Sequence, residues 1–226
     1  MTQEWNEEQM PREAKSEPLR ASVVTAGGTR LQTLLISGQI EGHSRLPAPA
    51  KASCYEEILP FLVRVEEDPE IQGLLILIHT VGGDVEAGLA MAEMIRGMKT
   101  PSVSLVLGGG HSIGIPLAVA ADYSMIVPSA TMTVHPVRIN GLVLGVPQSF
   151  EYLQRMQDRI CEFILENSRI EAGVLSELMR GRQDMATDIG TILSGKEAVD
   201  LGLVDELGSF SVAMDRLKER SGVKKE

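Results

Sequence analysis

Two spacings of apolar residues alternate along the chain. "LQTLLISGQI" (31–40) and "GLLILI" (73–78) predict strands, the second a continuous apolar run of the kind covered on both faces. "VEAGLAMAEMIRGMK" follows, with Val85, Leu89, Ala92, Ile95 and Met98 at helical spacing. "SVSLVL" (102–107) predicts the next strand, before a glycine turn and the helix-like "IPLAVAA". "YSMIV" (123–127) and "TMTVH" (131–135) predict two short strands around Pro128. Between the first two strands, Ser53 and Glu56 fit a capping box ahead of Ile58, Leu59, Leu62 and Val65, with Pro60 expected to kink that helix. Strand and helix succeed one another as in an α/β layered fold.

The pattern changes after residue 136. "VRINGLVL" (137–144) holds two β-rich triplets around Asn140-Gly141, a strong hairpin signal. Phe150, Leu153, Met156, Ile160, Phe163 and Ile164 then mark a long amphipathic helix. The stripe of that helix needs a partner surface: hairpin and helix, over about residues 136–168, either pack on the chain's own sheet or project together onto another subunit. The two ends are polar. Residues 1–30, with Pro11 and Pro18, hold too little apolar surface to offset ordering entropy and read as flexible. Residues 213–226 read as a charged tail, leaving one folded domain over 31–212.

Composition narrows the function classes. The 226 residues are 43% hydrophobic, enough for a real core, yet only 4% aromatic, so that core is aliphatic and methionine-based. A formal charge of −10 argues against a nucleic-acid binder. No stretch reaches the roughly 18 apolar residues of a membrane span. The acidic start lacks the basic and apolar regions of a secretory signal. Cys54 and Cys161 are isolated from each other and from any histidine at metal spacing, so no metal or cofactor is expected. The chain reads as a soluble cytoplasmic protein.

The chemistry concentrates at two glycine turns, "TVGGD" and "LGGGHS", each closing a strand and opening a helix. Helix starts expose backbone N–H groups that suit an anion. Neither turn is a P-loop, and "GGGHSIG" lacks the third glycine of a dinucleotide fingerprint. The anion left to consider is the oxyanion formed when a carbonyl is attacked beside a serine, here Ser112. A serine at a helix start is ordinarily a cap. A nucleophilic one needs a base, and the four histidines are His43, His79, His111 and His135. His43 lies in a proline-flanked loop and His111 directly precedes the serine. His135 ends a strand one position further along the sheet.

In order, "HTVGGDVEAG", "LGGGHSIG", "PSATMTVHPV" and "ILSGKEAVDLGLVDELG" (192–208) resemble the proteolytic subunit of Clp, a serine protease family. The resemblance covers roughly residues 31–210, and within the family it points to the Clp-like translocation-enhancing proteins of spore-forming bacteria. It implies repeated β-β-α units of the Clp protease/crotonase type, assembled as heptameric rings that stack into a hollow barrel. A projecting strand-and-helix handle joins the rings, and it matches the hairpin and helix of about residues 136–168. Ser112 then falls on the nucleophile and His135 on the base. Gly83 and Ile113 fall on the two backbone donors of the oxyanion hole. Peptides or unfolded proteins are the implied substrates, with a Clp ATPase as the implied partner.

The chain departs from that pattern at four places. The family aspartate, three residues before the leucine of the Leu-Ser element, falls on Gly190; Asp188 and Asp184 precede it, and Asp188 is the acid expected to complete the triad. Pro116 follows Ser112 by four residues. The usual "NSPGG" is "HTVGG", which brings His79 and Thr80 near the groove. The aromatic positions of the ATPase-docking pockets fall on Leu75, Leu77, Gly97 and Met125, which argues against an ATPase partner. Two other functions compete with the peptidase: a Clp-like scaffold that has lost turnover, and a crotonase-type acyl-CoA enzyme. The second gives Ser112 and His135 no role. A Ser–Lys peptidase of related fold would need a lysine base, and neither Lys99 nor Lys196 is compellingly placed.

Overall fold

Strand β4 (Ile71–Gly83) is the axis of the fold, and its apolar run is buried on both faces because successive side chains point to opposite sides of the sheet. Leu74, Ile76 and Ile78 enter the larger core, and Leu75 enters a second, smaller one. The computed structural model describes residues 20–24, 28–47, 49–139, 145–181 and 190–222. Among these, the main sheet follows the order β1-β2-β4-β5-β6-β9. Strands β2 (Arg30–Glu41), β4, β5 (Ser102–Gly110), β6 (Tyr123–Ile126) and β9 (Glu206–Leu207) run parallel, while β1 (Arg20–Val24) lies antiparallel on the outer edge of β2. Short β3 (Ala52–Cys54) joins the far end of β2, and β7 (Thr131–Val134) pairs antiparallel with β8 (Thr191–Ser194) beside the end of β5.

Helices α1 (Tyr55–Glu67), α2 (Val85–Gly97) and α3 (Gly114–Val119) bury their apolar residues in the larger core. The other face of the sheet is covered by α7 (Phe210–Arg220), whose Ala213 and Leu217 meet Leu31, Leu75, Val103, Leu105 and Met125. The long amphipathic helix is α4 (Val146–Glu166). Its second half buries Met156, Ile160, Phe163 and Ile164, while Val146, Phe150 and Tyr152 in its first half are exposed. Helices α5 (Ala172–Arg180) and α6 (Gly195–Asp200) flank β8, and Ser194 and Glu197 close a capping box at the start of α6.

Several expectations change. Ser53 is no cap: it lies in β3, fully buried, with its Oγ accepting from the Ser37 N–H and donating to the Ser37 carbonyl, both at 2.9 Å. Helix α1 starts after Cys54 instead and continues through Pro60. Residues 20–24, read as part of a flexible segment, form β1, and residues 1–19 lie outside the described residues. Residues 213–220, read as tail, form most of α7, where Ala213 and Leu217 are buried and Val212 and Met214 pack beside them. Val137–Ile139, the described half of the expected hairpin, form no strand, and Asn140-Gly141 lie outside the described residues. The partner available to β7 is β8, and that pairing stops at Val134.

Candidate active site

β5 ends at Gly110 and α3 begins at Gly114, so His111, Ser112 and Ile113 form the turn between them. Ser112 has φ +57°, the only positive φ of a non-glycine side chain among the described residues. Such a conformation costs an L-residue about 1–2 kcal/mol, so it persists only where its surroundings impose it. Here both neighbouring strands do. The His111 N–H donates to the Thr80 carbonyl of β4 (3.2 Å), and the Ser112 N–H donates to the Thr133 carbonyl of β7 (2.9 Å). The Gly114 and Ile115 N–H groups donate back to the carbonyls of His111 and Ser112. Pro116 is the third residue of α3, where a backbone donor has no intrahelical partner to lose, so it fits without disturbing the turn.

The glycines of both turns are spaces filled by neighbours. A Cβ at Gly82 (φ +88°) would stand 2.7 Å from the Ser112 Cβ, and one at Gly83 (φ +154°) would overlap the Ile40 carbonyl. Thr80, buried, fixes this turn by donating from Oγ1 to the Gly38 carbonyl (2.7 Å) and accepting from the Gly82 N–H (3.0 Å). Gly108 lies under the His79 ring and Gly109 under the His111 ring. The Gly109 N–H donates to His79 Nδ1 (3.1 Å), and His111 Nδ1 pairs with Thr133 Oγ1 (2.8 Å). Burial first, then the charges of His79 and His135, hold the His111 imidazole below the ordinary histidine range.

β7 carries the chain from Thr133, bonded to the serine turn, to His135 two residues on. His135 Nδ1 lies 2.7 Å from the Pro136 carbonyl oxygen. A carbonyl only accepts, so Nδ1 carries the proton and Nε2 of the neutral ring is the acceptor. Ser112, Ile113, Gly83 and His135 line one cavity of about 110 Å³. Its remaining walls are mainly apolar, with Val85 of α2, Ile115 of α3 and Val134 of β7, and with Ile160, Ile164 and Met179 from α4 and α5. The four residues expected as nucleophile, base and oxyanion donors thus meet at one place.

Asp188 and Asp184 lie outside the described residues. Gly190 is described, and it abuts His135: a Cβ there would stand 2.7 Å from the His135 Cβ. Other candidates are engaged elsewhere. His43 pairs with the Tyr55 hydroxyl (2.9 Å), and Lys196 pairs with Asp200 on the exposed side of α6. Among the described residues no lysine lines the cavity, and no group of three or more His, Cys, Asp or Glu side chains could hold a metal ion. No described helix is long and apolar enough to cross a membrane. Burial and the adjacent Glu41 carboxyl push the Cys54 thiol up to about 11, which leaves it protonated at neutral pH and a poor nucleophile. Leu75 and Met125 are buried beneath α7 with Leu77 partly so, whereas Gly97 is exposed at the end of α2. Sequence reading missed Thr133 and Pro136.

A mainly parallel sheet flanked by helices, with two glycine turns and the end of β7 meeting at one cavity, defines an α/β protein of the layered class. The family model for Clp protease matches residues 33–210, and the chain belongs to that family. It is 52% identical over 191 residues to the translocation-enhancing protein TepA of Halalkalibacterium halodurans, an alignment covering 84% of this chain and 75% of that protein. It is 27% identical over 138 residues to ATP-dependent Clp protease proteolytic subunit 1 of Chlamydia abortus, covering 59% of this chain and 69% of the relative. With proteolytic subunit 2 of Treponema denticola the identity is 26% over 156 residues, covering 67% and 74%.

Proposed function

We propose that this chain is a serine-type endopeptidase of the Clp proteolytic-subunit kind. The observation that carries the reading is the positive φ of Ser112 in a cavity that it shares with His135, Gly83 and Ile113. Ser112 Oγ attacks the peptide carbonyl while His135 Nε2 takes its proton. The backbone N–H groups of Gly83 and Ile113 stabilise the oxyanion, an effect worth about 10²–10³ in rate for a single donor. His135 returns the proton to the departing amine, and water then resolves the acyl-enzyme by the same steps in reverse roles. Asp188 is the proposed acid, stabilising the imidazolium. Gly190, two residues beyond it, lies against His135, which supports that assignment.

Family membership supports a cytoplasmic homo-oligomeric ring, a heptamer or stacked heptamers, that cleaves unfolded polypeptide inside. The exposed Val146, Phe150 and Tyr152 on the first half of α4 fit such an assembly. Burial of Leu75 and Met125 beneath α7 weighs against docking of a Clp ATPase. The test is hydrolysis of a fluorogenic peptide bearing an aliphatic residue before the scissile bond. The wild type turns it over and Ser112→Ala does not. Equal turnover by both sinks the reading, and intact rings without turnover favour a scaffold.

A further inference from the structure

We infer that Gln157 of α4 is a positioning residue for His135, acting through the Pro136–Val137 peptide group; the inference rests on the peptidase reading above. That peptide is held at both polar ends. Its carbonyl accepts from His135 Nδ1 (2.7 Å), and its N–H donates to Gln157 Oε1 (2.7 Å). The side-chain amide is itself oriented, because Nε2 donates to Met179 Sδ (3.0 Å) and Cys161 Sγ (3.3 Å). The oxygen therefore faces Val137, and a helix is linked through one peptide plane to one imidazole.

The clamp matters because Val137–Ile139 form no strand, so no ladder fixes that plane. A rotated peptide would turn its oxygen away from Nδ1 and remove the acceptor that favours the proton on Nδ1 over Nε2. With the proton on Nε2, His135 could not accept the Ser112 proton. Two bonds in line through one peptide also polarise each other, so losing the distal one weakens the proximal one. The Gln157 amide touches Met179, which lines the cavity together with Ile160 and Ile164 of α4. Substrate pocket and base orientation are thereby set by the same helix.

Gln157→Met removes the acceptor at similar shape, and Gln157→Glu retains an oxygen. Each is compared with the full-length wild type in three measurements: the rate of serine labelling by a fluorophosphonate, kcat and KM on a fluorogenic peptide, and the His135 tautomer by 15N NMR. The wild type is expected to carry the Nδ1 proton. Gln157→Met is expected to label about 10–100-fold more slowly, with the loss in kcat and not in KM, and to show a mixed tautomer. Gln157→Glu is expected to stay close to the wild-type rate. Labelling of Gln157→Met at the wild-type rate overturns the inference. So does a wild-type His135 protonated on Nε2, a result that does not depend on either variant folding. A wild type that acquires no adduct overturns the peptidase reading instead.

Discussion

Gly82 and Ser112 pack so closely that residue 82 has no room for a side chain: its Cβ would stand 2.7 Å from the Ser112 Cβ and 3.2 Å from its Oγ. The backbone at Gly82 also has φ +88°. Gly82→Ala therefore meets both strain and collision, at a stability cost of about 1–2 kcal/mol from the backbone alone. The nucleophile must shift, and a displacement of about 1 Å can cost on the order of 10² in rate. Urea denaturation and peptide turnover on the same variant measure the two effects.

The strain at Ser112 gives a second test. Glycine accepts φ +57° where alanine does not, although its freer unfolded chain offsets part of the gain. Ser112→Gly is expected to be more stable than Ser112→Ala by about 0.5–1 kcal/mol, with both inactive. Equal denaturation midpoints for the two would show that the turn is not strained.

His111 predicts the acid response. Its imidazole is held below the ordinary value by burial and by His79 and His135, so the folded state favours the neutral ring. The stability this contributes is present above the unfolded value of about 6.5 and is lost as pH falls through the lower folded value. The urea midpoint of the wild type should therefore drop between about pH 7.5 and pH 5.5. His111→Asn, whose amide can still pair with Thr133, should show a smaller drop.

The Pro136 carbonyl bears on the triad acid. In a serine-protease triad, replacing the acid by its amide costs about 10⁴ in turnover because the wrong tautomer results. Here the His135 Nδ1 proton already has a carbonyl acceptor at 2.7 Å. Asp188→Asn should thus lose turnover by much less than about 10⁴, through weaker stabilisation of the imidazolium. A loss of that full size would give the tautomer-setting role to Asp188.

Much of this is legible in the sequence itself. The continuous run of β4 and the spacing of α2 and α4 announced themselves because burial on one or both faces writes a period into the sequence. Ser112, His135, Gly83 and Ile113 were legible through four ordered motifs, and they do share a cavity. What stayed hidden depends on pairing distant in sequence. The polar-looking 20–24 becomes a strand only beside β2, and Ser53 is drawn from its expected cap by Ser37, sixteen residues away. The apolar positions of α7, Val212, Ala213, Met214 and Leu217, run into a charged stretch that reads as a tail until the sheet face they cover is known. Gln157 has no local signature, since its partner is a backbone N–H twenty residues earlier.

The central claim is that Ser112 is an activated nucleophile, and intact mass after fluorophosphonate treatment tests it most directly, with native mass spectrometry on the same samples to read the assembly. The account predicts one adduct per wild-type chain and none on Ser112→Ala, with both forming the same oligomer. A folded wild type that takes up no adduct, or an adduct that persists in Ser112→Ala, would contradict it.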